Sequence, residues 1–131
     1  MTCVYLAGPM TGVADYNRPA FHAAERALRS AGLDVVNPAR VSPGFVWSDY
    51  MRQACRVLPD CDGLALLADA DASAGARLET LIAVACGLRI GTVAEWIAGR
   101  LPLLTHDRKS LIDLATHDSA LLCLQFLRLE H

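Results

Sequence analysis

Four short apolar runs, each stopped by glycine, proline or polar residues, alternate with longer segments that space their apolar residues as helices do. The runs are residues 3–7, 33–36, 63–67 and 90–94. Nearly continuous apolar runs of this length are typical of strands that are buried on both faces. The alternation therefore predicts right-handed βαβ units and a parallel sheet with helices on both sides.

The three helical segments between these strands have recognisable ends. Proline or a side-chain cap stands at the start, and glycine or proline follows the last apolar position, which is the usual asymmetry of helix termini. The predicted helices start near Pro19, at Ser48 or Asp49 as the cap, and after Ser73, and they end at Gly32, Pro59 and Gly87.

The chain has the length of a single domain with one sizeable core, and we assign residues 1–128 to it. Residues 101–104 are predicted as a fifth strand, and residues 110–128 as one or two closing helices. The apolar run at residues 120–127 indicates an interface or deep packing, so we expect a homodimer or a larger assembly. Residues 129–131 resemble the remnant of a purification tag.

The net charge and the residue composition limit the kinds of molecule that this protein is expected to bind. The 12 basic and 14 acidic side chains give a net charge of −2, which predicts no binding to a nucleic acid polymer. The sequence has no apolar stretch long enough to span a membrane and no N-terminal leader pattern. Its five cysteines and four histidines lack Cys-x-x-Cys and zinc-ligand spacing, which indicates reduced structural thiols. We therefore expect a cytoplasmic protein that binds a small molecule, with no membrane contact and no metal.

Ligands of parallel α/β sheets bind outside the carboxyl ends of the strands. Three loops follow those ends, at residues 8–17, 37–47 and 68–75. The first loop begins with a segment that has one glycine before and one glycine after a threonine. This segment either cradles a phosphate or ribose, or forms an ordinary strand-to-helix turn. Its candidate ligand-binding residues are Gly8, Pro9, Met10, Thr11 and Gly12.

The third loop leads into a helix whose unpaired N-terminal amides attract anions. Ser73 and Gly75 stand at this helix start, and Glu79 follows one turn after the bare Gly75. Glu79 is then either a nucleophile that is open to the cleft or a solvated helix residue paired with Arg77 or Arg18. We expect the helix dipole and neighbouring amides to favour the ionised form of its carboxyl group.

Other side chains in these loops leave two interpretations open. Asp69 and Asp71 follow the third strand at the edge where ligands bind, and each is either a substrate contact or a solvated loop residue. Trp47, like Phe45, either stacks on a planar base or packs in the core.

Taken in order, the motifs of four segments resemble the nucleoside 2-deoxyribosyltransferase-like superfamily, and more closely a small uncharacterised branch of it in bacteria and phages. The segments are residues 4–12, 32–38, 61–67 and 73–79. The resemblance implies a single-domain flavodoxin-like (Rossmann-like) three-layer sandwich with a parallel sheet of four or five strands. It also implies cleavage or transfer at the N-glycosidic bond of a nucleoside or nucleotide, without a cofactor.

The resemblance assigns roles to individual residues. Glu79 matches the nucleophile of the superfamily, and Tyr5 matches a tyrosine that orients it. Gly8 and Thr11 match the loop that contacts sugar or phosphate. Ser73 stands where the transferases carry an aspartate that handles the base. The deoxynucleoside 5′-monophosphate N-hydrolases have a phosphate-binding serine there, so Ser73 favours a nucleotide as substrate.

One departure from the pattern bears on catalysis. The superfamily carries an acid in its second helix, and this chain has Ala54 at that position. Asp62 lies at the wrong end of its strand to replace the acid and is interpreted as structural. We therefore expect weak activity, with Ala54→Asp neutral or activating. The alternative is a nucleotide-binding protein on the same scaffold that does no catalysis.

Overall fold

Four parallel strands form one sheet in this protein. The computed structural model describes residues 1–40 and 46–99. The strands are β1 (Cys3–Ala7), β2 (Asp34–Val36), β3 (Gly63–Leu66) and β4 (Arg89–Thr92). Their order is β2-β1-β3-β4, and all three neighbouring pairs are parallel. The predicted parallel sheet is confirmed.

Helices cover both faces of this sheet, and short 3-10 turns connect several of the elements. The helices are α1 (Arg18–Ser30), α2 (Trp47–Val57), α3 (Ala74–Ala85) and α4 (Val93–Ala98). Helix α1 contacts α4, and α2 contacts α3. The 3-10 turns are Ala14–Asn17, Pro38–Arg40, Leu58–Asp60 and Ala70–Ala72.

The core has two halves because successive side chains of β1 point to opposite faces of the sheet. Tyr5 and Ala7 lie in the half that contains buried residues of α2 and α3. Val4 and Leu6 lie in the other half, which contains Trp96 of α4 and buried residues of α1. The arrangement is a three-layer α/β sandwich of the flavodoxin-like or Rossmann-like type, as predicted.

The predicted cap of α2 is wrong. Ser48 and Asp49 lie inside the helix, which begins at Trp47 after Val46 as the N-cap residue. The Asp49 carboxylate accepts a hydrogen bond of 2.9 Å from the backbone N–H of Val46. Asp49 therefore satisfies a free donor from within the first turn instead of standing before it.

The predicted fourth strand extends too far. It ends at Thr92, and residues 93 and 94, predicted as strand, begin α4. The Thr92 hydroxyl accepts from the N–H of Glu95 at 3.1 Å, and the Glu95 carboxylate accepts from the N–H of Thr92 at 3.0 Å. This reciprocal capping box overrides the apolar run. The predicted fifth strand at 101–104, the closing helices at 110–128 and residues 129–131 lie outside the described residues.

A buried carboxylate connects α1 to the segment that follows β2. Glu25 accepts hydrogen bonds from Arg29, Asn37 and Arg40 at 2.8, 3.0 and 2.6 Å. Burial alone would raise the pKa of Glu25, but the hydrogen bonds from Arg40, Arg29 and Asn37 outweigh it and lower the pKa to about 2. The Asn37 side chain also accepts from the N–H of Ala39. These contacts fix residues 37–40, at the start of the second loop, at the carboxyl edge of the sheet.

Candidate functional site

A cavity of about 330 Å³ opens at the carboxyl edge of the sheet. Its wall combines the loop after β1, the first turns of α2 and the start of α3. Of the residues predicted from the sequence, those in this wall are Tyr5, Gly8, Pro9, Met10, Thr11, Trp47, Ser73, Gly75 and Glu79.

Three predicted residues are not brought to the cavity. Gly12 is exposed and lies just beyond the loop residues of the wall. Asp69 and Asp71 are exposed on the segment between β3 and α3. The backbone carbonyl of Asp71 accepts a hydrogen bond from Arg77, which connects Arg77 to this segment. Phe45 lies outside the described residues.

Glu79 is a buried carboxylic acid in the second turn of α3, with only 8% of the residue exposed. Burial raises its pKa to about 8, and a hydrogen bond with Tyr5 acts in the opposite direction. The expectation that the helix dipole would keep this group ionised is therefore wrong. Glu79 lies beyond the first turn, where the dipole effect is largest, and removal from water dominates.

Tyr5 is the partner of Glu79 in the cavity wall. Its residue is 1% exposed on the central strand β1. Burial and the neighbouring Glu79 carboxylate raise the pKa of the Tyr5 phenol. The phenol therefore keeps its proton and acts as the hydrogen-bond donor to the carboxylate. The structure therefore brings Tyr5 and Glu79 together in one hydrogen bond.

Two positions in the loop after β1 require glycine, each for a different physical reason. A Cβ atom on Gly8 would lie 2.8 Å from Cβ of Leu67, which directly follows β3, so the close approach of Leu67 excludes a side chain there. Gly12 has a φ of +81°, which favours glycine. The Asn17 amide donates to the carbonyl of Pro9 at 2.9 Å and holds the loop over the cavity edge.

The start of α3 carries the predicted cap. The Ser73 hydroxyl accepts a hydrogen bond of 3.2 Å from the N–H of Ala76, which confirms Ser73 as the N-cap. A Cβ atom on Gly75 would lie 3.4 Å from Nε1 of Trp47 and 3.7 Å from the Met51 sulfur. The bare Gly75 thus leaves room for the indole of α2 against the first turn of α3.

Sequence reasoning missed part of the aromatic wall. Tyr50 and Met51 follow Trp47 on one face of α2, at i+3 and i+4, and all three line the cavity. Tyr16 and Phe21 line it from the first loop and α1. The helical spacing of residues 47, 50 and 51 was the available signal, whereas Tyr16 lies in a turn of left-handed residues without such a pattern.

Ala54 is fully buried and lies in the same half of the core as Tyr5, Leu58 and Ala76. It is not part of the cavity wall. At the other edge of the sheet, the Asp62 carboxylate accepts a hydrogen bond of 2.8 Å from the N–H of Cys3, in agreement with its structural interpretation.

The burial of Ala54 changes the expected effect of Ala54→Asp. An aspartate there would be a buried charge in an apolar environment, so we expect the free energy of unfolding at pH 7 to fall by about 3 kcal/mol or more. Urea unfolding checks this, with Ala54→Ser as a smaller polar substitution that should lose less. Unchanged stability of Ala54→Asp would contradict the expectation and return the position to the candidate acids.

Within the described residues, no cluster of three or more histidine, cysteine, aspartate or glutamate side chains could hold a metal ion. No helix in the described part of the chain is long and apolar enough to cross a membrane.

Comparison with known proteins identifies the family. Residues 2–92 match the family described as Domain of unknown function (DUF4406). The match extends through all four strands and the first three helices. Comparison with curated proteins and with solved structures gives no match. Because the matched region covers more than half of the chain, the chain belongs to the family described as Domain of unknown function (DUF4406).

Proposed function

We propose that this protein cleaves or transfers at the N-glycosidic bond of a deoxynucleoside 5′-monophosphate or nucleoside, with Glu79 as the nucleophile. The observation that carries the proposal is the buried pair of Glu79 and Tyr5 in the wall of the cavity. The cavity, of about 330 Å³, has the size of a small-molecule site. The ordered resemblance of four motifs to the nucleoside 2-deoxyribosyltransferase-like superfamily supports the same reaction.

The proposed reaction begins when the ionised carboxylate of Glu79 attacks the anomeric carbon of the sugar. The carbon–nitrogen bond breaks, its electron pair leaves with the base, and the base takes up a proton. Water then resolves the glycosyl ester in hydrolysis, or a second base does so in transfer, and the carboxylate is restored. Tyr5 keeps its proton and orients the attacking oxygen through its hydrogen bond.

The raised pKa of Glu79 is compatible with this role. At neutral pH the empty site holds mostly the protonated acid, because its pKa is about 8. Positive charge that develops on the sugar in the transition state favours the ionised carboxylate. Because Glu79 is buried, that attraction is stronger than it would be in solution. Burial therefore lowers the fraction of Glu79 that is ionised, and it strengthens the attraction between each ionised carboxylate and the positive charge of the transition state.

Charge in the cavity wall bears on how a phosphate would bind. The described residues that line the cavity include one carboxyl group, that of Glu79, and no lysine, arginine or histidine. A phosphate would therefore depend on backbone amides and hydroxyls at the start of α3 and in the loop after β1. Ser73 and Thr11 provide hydroxyls in those two places. The flat side chains of Trp47 and Tyr50 provide a surface for the base.

The supply of a proton to the leaving base is the weak step of the proposed reaction. The described wall holds no second carboxylate, because Asp69 and Asp71 lie outside it and Ala54 is apolar. A positioned acid contributes about 10²–10⁴-fold. Turnover should therefore be slow or restricted to bases that leave easily. The same observation favours a second candidate, a nucleotide-binding protein that does no catalysis.

A matched panel tests both candidates. Deoxynucleosides and ribonucleosides, each with its 5′-monophosphate, are incubated with the protein at millimolar concentration, and free base is followed by chromatography. The melting temperature is measured with the same compounds, because a ligand that binds the folded state raises it by mass action. We expect a larger melting shift with at least one monophosphate than with its nucleoside, together with slow base release.

The outcomes of the panel are distinct. Binding without base release would favour the binding protein. If no compound shifts the melting curve and no base is released, both candidates are wrong.

A further inference from the structure

Two cysteines that the proposed reaction does not use lie side by side at the amino edge of the sheet. Cys3 begins β1, and Cys61 lies two residues before β3. Their sulfur atoms are 3.9 Å apart, and both are free thiols. Cys61 is buried and Cys3 is half-buried. A disulfide has a sulfur–sulfur distance of about 2.05 Å, so the sulfurs must approach by roughly 2 Å.

Hydrogen bonds hold the backbone of the two segments side by side at this point. The carboxylate of Asp62 accepts from the N–H of Cys3 at 2.8 Å, and the N–H of Asp62 donates to the carbonyl of Cys3 at 2.8 Å. The next residues, Val4 and Gly63, are paired in the parallel ladder. Because these contacts tie the two strands together, the inference requires the sulfurs to approach through side-chain rotation.

We infer that Cys3 and Cys61 form a redox-active dithiol, which a low-molecular-weight disulfide such as glutathione disulfide oxidises to an intramolecular disulfide. The bond would join the start of β1 to the residue before Asp62. The two positions are 58 residues apart in the chain, so the crosslink closes a long loop and restricts the unfolded state.

The thiol–disulfide exchange takes place in two steps. The more accessible Cys3 loses its proton, attacks one sulfur of glutathione disulfide and forms a mixed disulfide, and one glutathione leaves and takes up a proton. Cys61 then loses its proton and attacks the Cys3 sulfur, so that the second glutathione leaves in the same way. Two protein thiols are oxidised, and one small disulfide is reduced to two thiols.

The surroundings of the pair set its rate. Burial, together with the carboxylates of Asp34 and Asp62, raises the pKa of the Cys3 thiol, although its contact with Cys61 and the Arg29 guanidinium act against this. Burial, Cys3, Asp62 and Asp60 raise the pKa of the Cys61 thiol to about 12. Both groups are therefore protonated at neutral pH, and because the thiolate is the attacking species we expect exchange over hours rather than seconds.

The experiment compares the pair with the other cysteines of the chain. Cys55 and Cys86 are exposed, and Cys123 lies outside the described residues, so a variant with all three changed to serine retains only the pair. This variant and the wild type are incubated with excess glutathione disulfide at pH 8.5. Remaining thiols are then alkylated, and intact mass and peptide maps are recorded.

We expect the variant to lose two hydrogen atoms, to show a Cys3–Cys61 peptide and to take up no alkylating agent. Its melting temperature should rise by several degrees and return after reduction. Cys3→Ser in the same background should leave Cys61 alkylatable after unfolding. The wild-type peptide map provides the same readout if the triple variant fails to fold. A stable glutathione adduct on Cys3, two free thiols, or an unchanged melting temperature of the crosslinked protein would overturn the inference.

Discussion

Glu79→Gln should reduce base release from the best substrate by at least about 10³-fold, because the amide cannot form the glycosyl ester. In the wild type, kcat/KM should rise with pH and level off above about 8, since only the ionised carboxylate attacks and its pKa is about 8. Free base measured by chromatography from pH 5.5 to pH 9 checks both expectations.

A matched control separates this effect from a general loss of charge. Asp60 is exposed next to the amino edge of β3 and is not part of the cavity wall, and Asp60→Asn removes a carboxylate in the same way. It should retain the wild-type rate and pH profile. Undiminished turnover of Glu79→Gln would eliminate the carboxylate mechanism. A wild-type rate that falls as the pH rises through about 8 would make Glu79 an acid instead of a nucleophile.

The same substitution should stabilise the protein at alkaline pH. The pKa of Glu79 rises from the ordinary 4.5 to about 8 on folding, so the folded state binds more protons than the unfolded state between these values. The free energy of unfolding contributed by this group therefore falls as the pH rises through that window. Glutamine does not titrate. The stability of Glu79→Gln relative to the wild type should increase by about 3 kcal/mol between pH 5 and pH 8.

Urea unfolding at pH 5, 6.5 and 8 measures this difference, and Asp60→Asn serves again as the control for the loss of an exposed carboxylate. The change with pH is the decisive quantity, because the extra N–H of the amide can shift the whole curve. A constant difference between Glu79→Gln and the wild type would show that Glu79 titrates normally. A group that reduces stability at the pH where it reacts is typical of functional sites.

Local patterns in the sequence were sufficient to predict the sheet and those helix starts that have an ordinary side-chain cap. The strands and Ser73 follow from short apolar runs and from a hydroxyl before a helical pattern. The start of α2 was predicted wrongly and the start of α4 was missed, for different reasons. Val46 offers no side-chain cap in the sequence, whereas Thr92 and Glu95 carry a capping box that the preceding apolar run obscured.

Tertiary burial explains what the sequence could not provide about the site. The position of Glu79 relative to Gly75 followed from helical spacing, but its protonation depends on how completely neighbouring layers exclude water. Residues that are distant in the chain also create the apolar surroundings of Ala54 and bring the Cys3 and Cys61 thiols together. Neither feature could therefore be predicted from a local pattern.

The most direct test of the account is to trap the glycosyl ester on Glu79. The protein is incubated with the 2-deoxy-2-fluoro analogue of its best nucleotide substrate, in which fluorine slows formation and breakdown of the intermediate, and intact mass is followed by peptide mapping. We expect one sugar phosphate added to the wild type, located on Glu79, and none added to Glu79→Gln. Release of base from the analogue without an adduct, or an adduct on another residue, would contradict the proposed role of Glu79.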